Sequence, residues 1–259
     1  MRHVSILLAS AALIGVMGHA SAADAVLEVA EPADSFSWTG SYVGVWGGGR
    51  IGDIDWATTE VFDPDGDPIP FESDPNASDS STSGRVAVYA GYNWQFSPAW
   101  VAGIEADVGY GDNSARFNRI PGLGSSGDSF VETELGVDGS LRGRLGYLVS
   151  PTILVYGTGG LAFQEAEASG TCRADGEVCD PAEGSRTSSS SETLVGWTIG
   201  GGVEAAVFGN WLVRADYRYS DYEDFSVTAM QWVPGEAFGA EADISIATHT
   251  FGVGIGYKF

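Results

Sequence analysis

Eight charged residues stand out by their spacing. Glu105 and Asp107 are two apart, as are Arg142 and Arg144; Arg214, Asp216 and Arg218 form a run at the same interval, and Glu204 stands alone. Residues two apart share one face of a β-strand. Much of the rest of that face is glycine or small: Gly103 and Gly109 flank the first pair, Gly146 follows the second, and Thr198, Gly200 and Gly202 precede Glu204. Four acids meet four bases at a similar distance from the nearest short turn. The chemistry such a set offers is mutual neutralisation, because charges taken out of water must be paired. A solvent-facing surface has no need to level its charges or to be so rich in glycine, whereas a narrow interior has both needs. The eight are therefore expected to form ion pairs that fill a closed lumen.

The other reactive residues promise less. Cys172 and Cys179 are the only cysteines. An even count in an exported chain predicts a disulfide, closing a local loop with modest stabilisation; without a nearby histidine they are a poor zinc set. Asp63-Pro64-Asp65-Gly66-Asp67 resembles the start of a calcium loop, which needs Gly at its sixth position and a bidentate acid at its twelfth. Counted from Asp63, Gly66 is fourth, Pro68 sixth and Asp74 twelfth, so no metal ligand is assigned. His249 is the one histidine outside the N-terminal stretch, and it shares parity with Phe251 and Val253. A Ser–His pair needs a serine and an acid within hydrogen-bond reach, which the run Ser188 to Ser191 in a long loop does not supply. No catalytic residue and no cofactor is expected.

The elements that hold the charges are strands. At the C-terminal end Phe251, Val253, Ile255, Tyr257 and Phe259 alternate with Thr250, Gly252, Gly254, Gly256 and Lys258. Similar segments fall at about 40–55, 84–96, 99–113, 132–149, 152–165, 193–208, 210–222 and 245–259. Three connections are tight: Ser97-Pro98, Ser150-Pro151 and Gly209-Asn210. Four are long: roughly 56–83, 114–131, 166–192 and 223–244, read from the strand limits. Long and short alternate, which puts every long loop at one end of an up-and-down barrel. An even strand count places both termini at the other. The long loops are acid-rich, with Glu60, Asp63, Asp65, Asp67, Glu72, Asp74 and Asp79 in the first and Glu223, Asp224, Glu236, Glu241 and Asp243 in the fourth.

Alternation alone does not say which face is outside. The charged, glycine-rich face suits a lumen that eight strands leave just wide enough for side chains. Aromatics support the same choice. Trp94, Phe96, Trp100, Tyr147, Phe208, Trp211, Tyr257 and Phe259 crowd the short-turn end; Tyr110, Phe163, Trp197, Tyr217 and Tyr219 lie toward the loops. Two aromatic belts with aliphatics between them mark a membrane barrel. The fold expected is all-β, an eight-stranded antiparallel up-and-down transmembrane β-barrel.

The N-terminus reads as an export signal: Arg2, an apolar run from Val4 to Val16, then Ala20-Ser21-Ala22. That run is shorter than the ~20 residues a spanning helix needs. Cleavage is expected between Ala22 and Ala23, giving a signal peptide over 1–22, a short acidic leader over 23–37 and a barrel domain over 38–259. The net charge is −23, from 35 acids against 12 bases, and Lys258 is the only lysine. So acidic a chain repels nucleic acid, which is excluded as a partner.

Several motifs in order resemble one family. Trp38-Thr39-Gly40-Ser41-Tyr42-Val43-Gly44 is similar to the W-x-G-x-Y-x-G opening of small α-proteobacterial outer-membrane proteins. These are the RopB-like and opacity-protein-like barrels, distant relatives of the OmpA transmembrane domain. Arg142-Gly143-Arg144-Leu145-Gly146-Tyr147, Tyr156-Gly157-Thr158-Gly159-Gly160-Leu161-Ala162 and a glycine-rich last strand ending in Phe extend the resemblance over nearly the whole chain beyond the signal. It implies residence in the outer membrane of a Gram-negative bacterium, among its lipids. It also implies insertion by the outer-membrane assembly machinery, which reads the terminal aromatics, here Tyr257 and Phe259. It implies no single activity. A structural or surface-interaction role, with a host or surface ligand met through the acidic loops, is the first expectation. A narrow porin passing ions or very small solutes is the alternative, and a lipid-modifying enzyme stands behind both.

Overall fold

The computed structural model describes residues 36–259 apart from 64, 123–128, 173–185 and 231–238. Nine strands are present among them: β1 (Gly40–Phe62), β2 (Asn76–Gln95), β3 (Trp100–Phe117), β4 (Phe130–Ser150), β5 (Ile153–Cys172), β6 (Arg186–Phe208), β7 (Trp211–Tyr222), β8 (Phe225–Met230) and β9 (Gly239–Lys258). Consecutive strands pair antiparallel from β1 to β7. β7 and β8 both pair with β9, β7 along its lower part and β8 along its upper part, so the two act as one barrel strand interrupted at Glu223-Asp224. β1 pairs with β9 from Tyr42↔Lys258 up to Phe62↔Gly239, and this closes a ring of eight.

The short turns lie where Pro and Gly-Asn predict them, between Gln95 and Trp100, Ser150 and Ile153, and Phe208 and Trp211. The long loops do not keep their predicted lengths. β1 runs on to Phe62 and β2 begins at Asn76; β4 begins at Phe130, β5 continues to Cys172 and β6 starts at Arg186. More than half of the first, third and fourth predicted loops is therefore strand, and a smaller part of the second. A membrane strand needs only about 9–11 residues, and on β3 the exposed apolar set from Trp100 to Tyr110 already meets that need. The remainder of the barrel stands above the lipid.

Polarity inverts where the barrel leaves the membrane. Along the membrane part, Ile104, Val108, Leu141, Leu145, Val203, Val253 and Ile255 are exposed, as a lipid-facing surface requires. Higher up, Ile54, Trp56, Leu135, Ala166, Ala242, Ile244 and Ile246 are buried inside the ring. Their strand neighbours Asp55, Glu134, Glu165, Glu167 and Glu241 face outward. On β9 the inversion occurs without any change of register: Ala242, Ile244 and Ile246 point to the same side as Thr248, Thr250 and Gly254. On β4 an extra residue between Leu135 and Asp138 shifts the register, so Val131, Thr133 and Leu135 point inward although their parity matches the lipid-facing Leu141 and Leu145.

Candidate functional site in the barrel lumen

The interior is layered. The layer nearest the short turns is apolar and is built by the W-x-G-x-Y stretch. Trp38 is 0% exposed; its indole N–H donates to the Pro151 carbonyl at 3.1 Å and its backbone N–H to Gln95 Oε1 at 3.2 Å. Phe36 packs edge-on against it, with ring centroids 5.1 Å apart. Val101, Leu148, Leu154 and Leu212 complete the layer. Gly40 adopts a φ of 142°, and a Cβ there would sit 2.7 Å from the Phe259 carbonyl oxygen. Only glycine takes that turn so close to the last residue. Two residues on, the Tyr42 hydroxyl donates to Glu105 Oε2 at 2.9 Å. Its ring lies over Gly91, where any side chain would collide with it.

Above this cap comes a layer of charge. Glu105 accepts from Arg142 at 2.5 Å and from Arg214 at 2.6 Å, with Arg144 at 3.7 Å. Arg144 also donates to Glu204 at 2.9 Å. Asp107 accepts from Arg218 at 2.9 Å and from Arg85 at 2.7 Å, with Arg142 at 3.3 Å and the Ser140 hydroxyl on the same carboxylate. Asp216 lies 3.2 Å from Arg214 and accepts from the Trp46 indole and the Tyr156 hydroxyl, each at 3.0 Å. Tyrosine faces complete the packing: the Arg214 guanidinium lies 3.6 Å from the Tyr89 centroid and Arg144 lies 4.1 Å from that of Tyr156. All eight residues singled out in the sequence thus lie in one layer. Because no strand contributes more than three of them, the layer exists only once the ring has formed.

Three charged members escaped the sequence reading. Arg85 grips Asp138 through Nε at 2.7 Å and a terminal nitrogen at 2.8 Å. Arg50, 0% exposed, reaches Asp138 at 3.4 Å, Asn113 at 2.6 Å, and the Gly111 and Leu135 carbonyls at 2.6 and 3.0 Å. Arg85 shares parity with Tyr89, Gly91 and Asn93 and opposes Val86 and Val88, so the same alternation could have found it. Arg50 could have been found from its parity with Gly44 and Gly48. Asp138 shares parity with Arg142 and Arg144 and could have been found in the same way, since the β4 bulge begins only above it.

The top layer is apolar again. Ile54, Trp56, Val131, Leu135, Ile244 and Ile246 fill it, and Ile120 enters from the loop after β3. The first two loops join over it: the Thr58 hydroxyl donates to the Pro121 carbonyl at 2.7 Å, Glu72 N–H to Gly122 at 2.9 Å and Gly122 N–H to Asp74 at 3.0 Å.

The remaining predicted residues lie elsewhere. Tyr257 and Phe259 are exposed at the short-turn rim, in a chain of edge-on rings with Trp211 at 5.4 and 5.3 Å. His249 faces outward just above the apolar band, with Nδ1 2.7 Å from the Tyr217 hydroxyl and Nε2 3.5 Å from Asp53. Asp63 Oδ1 accepts from the backbone N–H groups of Asp65 and Asp67, which makes it a turn-stabilising carboxylate. Among the described residues no cluster of three His, Cys, Asp or Glu could hold a metal ion. Ala22, Ala23, Cys179 and the Cys172 side chain lie outside the described residues.

Known proteins were compared with this chain. It matches the model of the outer membrane protein β-barrel domain over residues 8–259. It is 31% identical over 261 residues to the 31 kDa outer-membrane immunogenic protein of Brucella melitensis, covering 98% of this chain and 99% of that one. It is 35% identical over 188 residues to the 22 kDa outer membrane protein of Rhizobium leguminosarum, covering 72% of this chain and 65% of that one. The crystal structure of the outer membrane protein OprG from Pseudomonas aeruginosa superposes with a TM-score of 0.50 at 15% identity, over 85% of this chain and 97% of that one, a likeness of fold alone.

Proposed function

The chain belongs to the outer-membrane protein β-barrel family and resides in the outer membrane; from that premise we propose that it is a closed, non-enzymatic surface protein whose contacts are made above the lipid. The observation that carries this reading is the layered lumen. An apolar cap at each end and a charge layer between them leave the interior with no work on a solute. What faces outward above the membrane is a strand-built, acidic wall bearing Asp55, Glu134, Glu165, Glu167 and Glu241. A rigid scaffold that carries exposed loops is the usual arrangement for recognition. Relatives that are named immunogenic fit a protein displayed in this way.

In this reading residues 1–22 are removed after Ala22, both termini face the periplasm, and Cys172 and Cys179 join in a loop disulfide. Tyr257 and Phe259 then sit where the assembly machinery would meet the last strand. Planar-bilayer recording tests the closed lumen. Purified protein should give no steps, and steady ion-selective steps would replace this reading with a narrow pore. Exchange of the described loops for those of a relative, scored by ligand or antibody binding to intact cells, tests where contacts are made. Binding that ignores the exchange would place them elsewhere.

A further inference from the structure

The seam after β6 is laddered only in its lower half. β6 pairs with β7 from Phe208↔Trp211 up to Gly196↔Tyr222, and among the described residues no ladder joins β6 above that point to β8. β8 pairs with β9 instead, where Phe225 and Val227 are buried in the upper core. At the foot of the gap the Glu223 N–H donates to the Val195 carbonyl at 2.9 Å. Backbone orientation repeats every second residue of a strand, so the N–H and C=O groups of Thr193, Ser191, Ser189 and Thr187 are aimed into the gap. Across it the Thr228 carbonyl accepts from the Ser188 hydroxyl at 3.4 Å, well beyond the usual ~2.8 Å. Ser226 shares the orientation of Thr228. A cavity of about 360 Å³ lies between the two strands, lined by Ser188, Ser189, Ser190, Ser226, Val227 and Thr228. From Thr187 to Val195 the β6 edge has no Lys, no Pro and no bulge against β5, the usual protections of an open edge.

We infer that this half-open seam is a docking site for an extended, basic peptide segment of another protein, taken up as an added strand. The inference names a partner for the contacts proposed above the lipid, and it rests on that reading. An added strand gains its affinity from main-chain hydrogen bonds. Here Thr187, Ser189, Ser191 and Thr193 offer them on one side and Ser226 and Thr228 on the other, and the long Ser188–Thr228 link gives way. Charge selects the sequence. Glu167 and Glu165 stand on β5 opposite Ser191 and Thr193, and Asp243 and Glu241 stand on β9 opposite Ser226 and Thr228. Glu192 shares parity with the buried Leu194 and is nevertheless exposed. Over residues 164–172, 186–195, 225–230 and 239–247 the sole base is Arg186, at the far end of β6. Neighbouring strands lie about 4.8 Å apart, and the side chains of Ser189, Ser191 and Thr193 are short. An outward Lys or Arg on the added strand therefore reaches over them to Glu165 and Glu167. A segment with acids at those positions is repelled.

The probe is a fluorescent octapeptide of alternating Lys and Val, titrated by anisotropy onto the full chain folded in a non-ionic detergent. Saturable binding is expected. The same peptide N-methylated at every second amide keeps its charge and loses its ladder; made in both phases, at least one should bind about tenfold more weakly, the worth of one or two main-chain hydrogen bonds. The alternating Glu and Val peptide should not bind. Ser191→Pro removes an N–H that β5 does not use, a change that edge strands tolerate. It should weaken the Lys–Val peptide to a similar degree while the protein keeps the heat-dependent gel migration of a folded barrel. Should that variant not fold, Glu167→Gln on the exposed face should weaken binding about threefold, the worth of an exposed ion pair. Absence of saturable binding overturns the inference, and so does binding indifferent to N-methylation. If no peptide binds and the protein sediments as a dimer that Ser191→Pro makes monomeric, the edge serves a second copy and the peptide is excluded. Exchange of the loops leaves β6 and β8 intact, so loop-dependent binding to cells without peptide binding would overturn this inference alone. Steady conduction steps beside intact peptide binding would overturn only the closed lumen.

Discussion

On β9, Glu241, Asp243 and Ser245 face outward, and farther down the same face Val253, Ile255 and Tyr257 do. The inner face runs the opposite way, from Ala242, Ile244 and Ile246 to Thr250, Gly254 and Gly256. The two halves of the barrel share backbone, ring and register, yet above the lipid the wall is built like a soluble protein and within it like its inverse. The comparison separates two properties that are usually read together. Alternation belongs to the strand; which parity is apolar belongs to the medium on each side. Where lipid is outside, polar groups gather inside and must satisfy each other. Where water is outside, the interior reverts to aliphatic packing driven by burial.

The largest effect that would sharpen this contrast is expected inside the membrane half. Glu105→Leu strands Arg142, Arg144 and Arg214 and should cost ~3–5 kcal/mol, as breaking a buried ion pair does. Urea unfolding in phospholipid vesicles would show it, and a loss below ~1 kcal/mol would mean that water reaches the layer. The next test compares the outer faces. Val213→Arg should cost ~2–4 kcal/mol, the penalty for a cation at mid-membrane, and reduce the fraction migrating as folded protein on unheated gels. Glu165→Arg on the upper wall should leave that fraction unchanged. Equal damage from both would extend the lipid past the inversion; harmless Val213→Arg beside a damaging Thr198→Val would exchange inside for outside. Smaller still, Ile244→Val in the upper core should cost about 0.5–1.5 kcal/mol, while Ile255→Val, whose lost methylene is replaced by lipid, should cost less. The smallest change is expected from Glu134→Gln. Glu134 stands opposite Glu167 on the outer wall, and like charges across a ladder repel, so removal should raise stability slightly, within ~0.5 kcal/mol.

The same contrast explains what could be read in the sequence. The membrane half was legible because one rule, apolar outward, held from Trp100 to Tyr110 and from Phe251 to Phe259. It placed Glu105, Arg142, Arg214 and their companions on one side. The upper half failed that rule. Reading upward, Ala247 and Ser245 follow His249 where apolar residues were expected, and Ile246 and Ile244 stand where polar ones were. A reader of polarity ends the strand there, although the chain carries on in register. Ser, Asp and Glu at the outward positions deepen the impression of a loop, since they are poor strand formers in isolation. Asp138 keeps the parity of Arg142 and Arg144 and was within reach of the same rule; it is Val131, Thr133 and Leu135, above the extra residue on β4, that change face. No local signal marks that bulge apart from Gly136 and Gly139 near it.

The pairing of β1 with β9 has a consequence for how the ring comes to exist. Seven of its eight seams join neighbours in the chain and can form as hairpins. The eighth ties Ser41 to Phe259 through a backbone hydrogen bond of 2.9 Å, across almost the whole described length. Contacts between such distant residues form slowly. Until this one forms, the sheet carries two long open edges, and open edges recruit other chains. Refolding yield should therefore fall as protein concentration rises, with the loss concentrated in the interval before the seam is sealed.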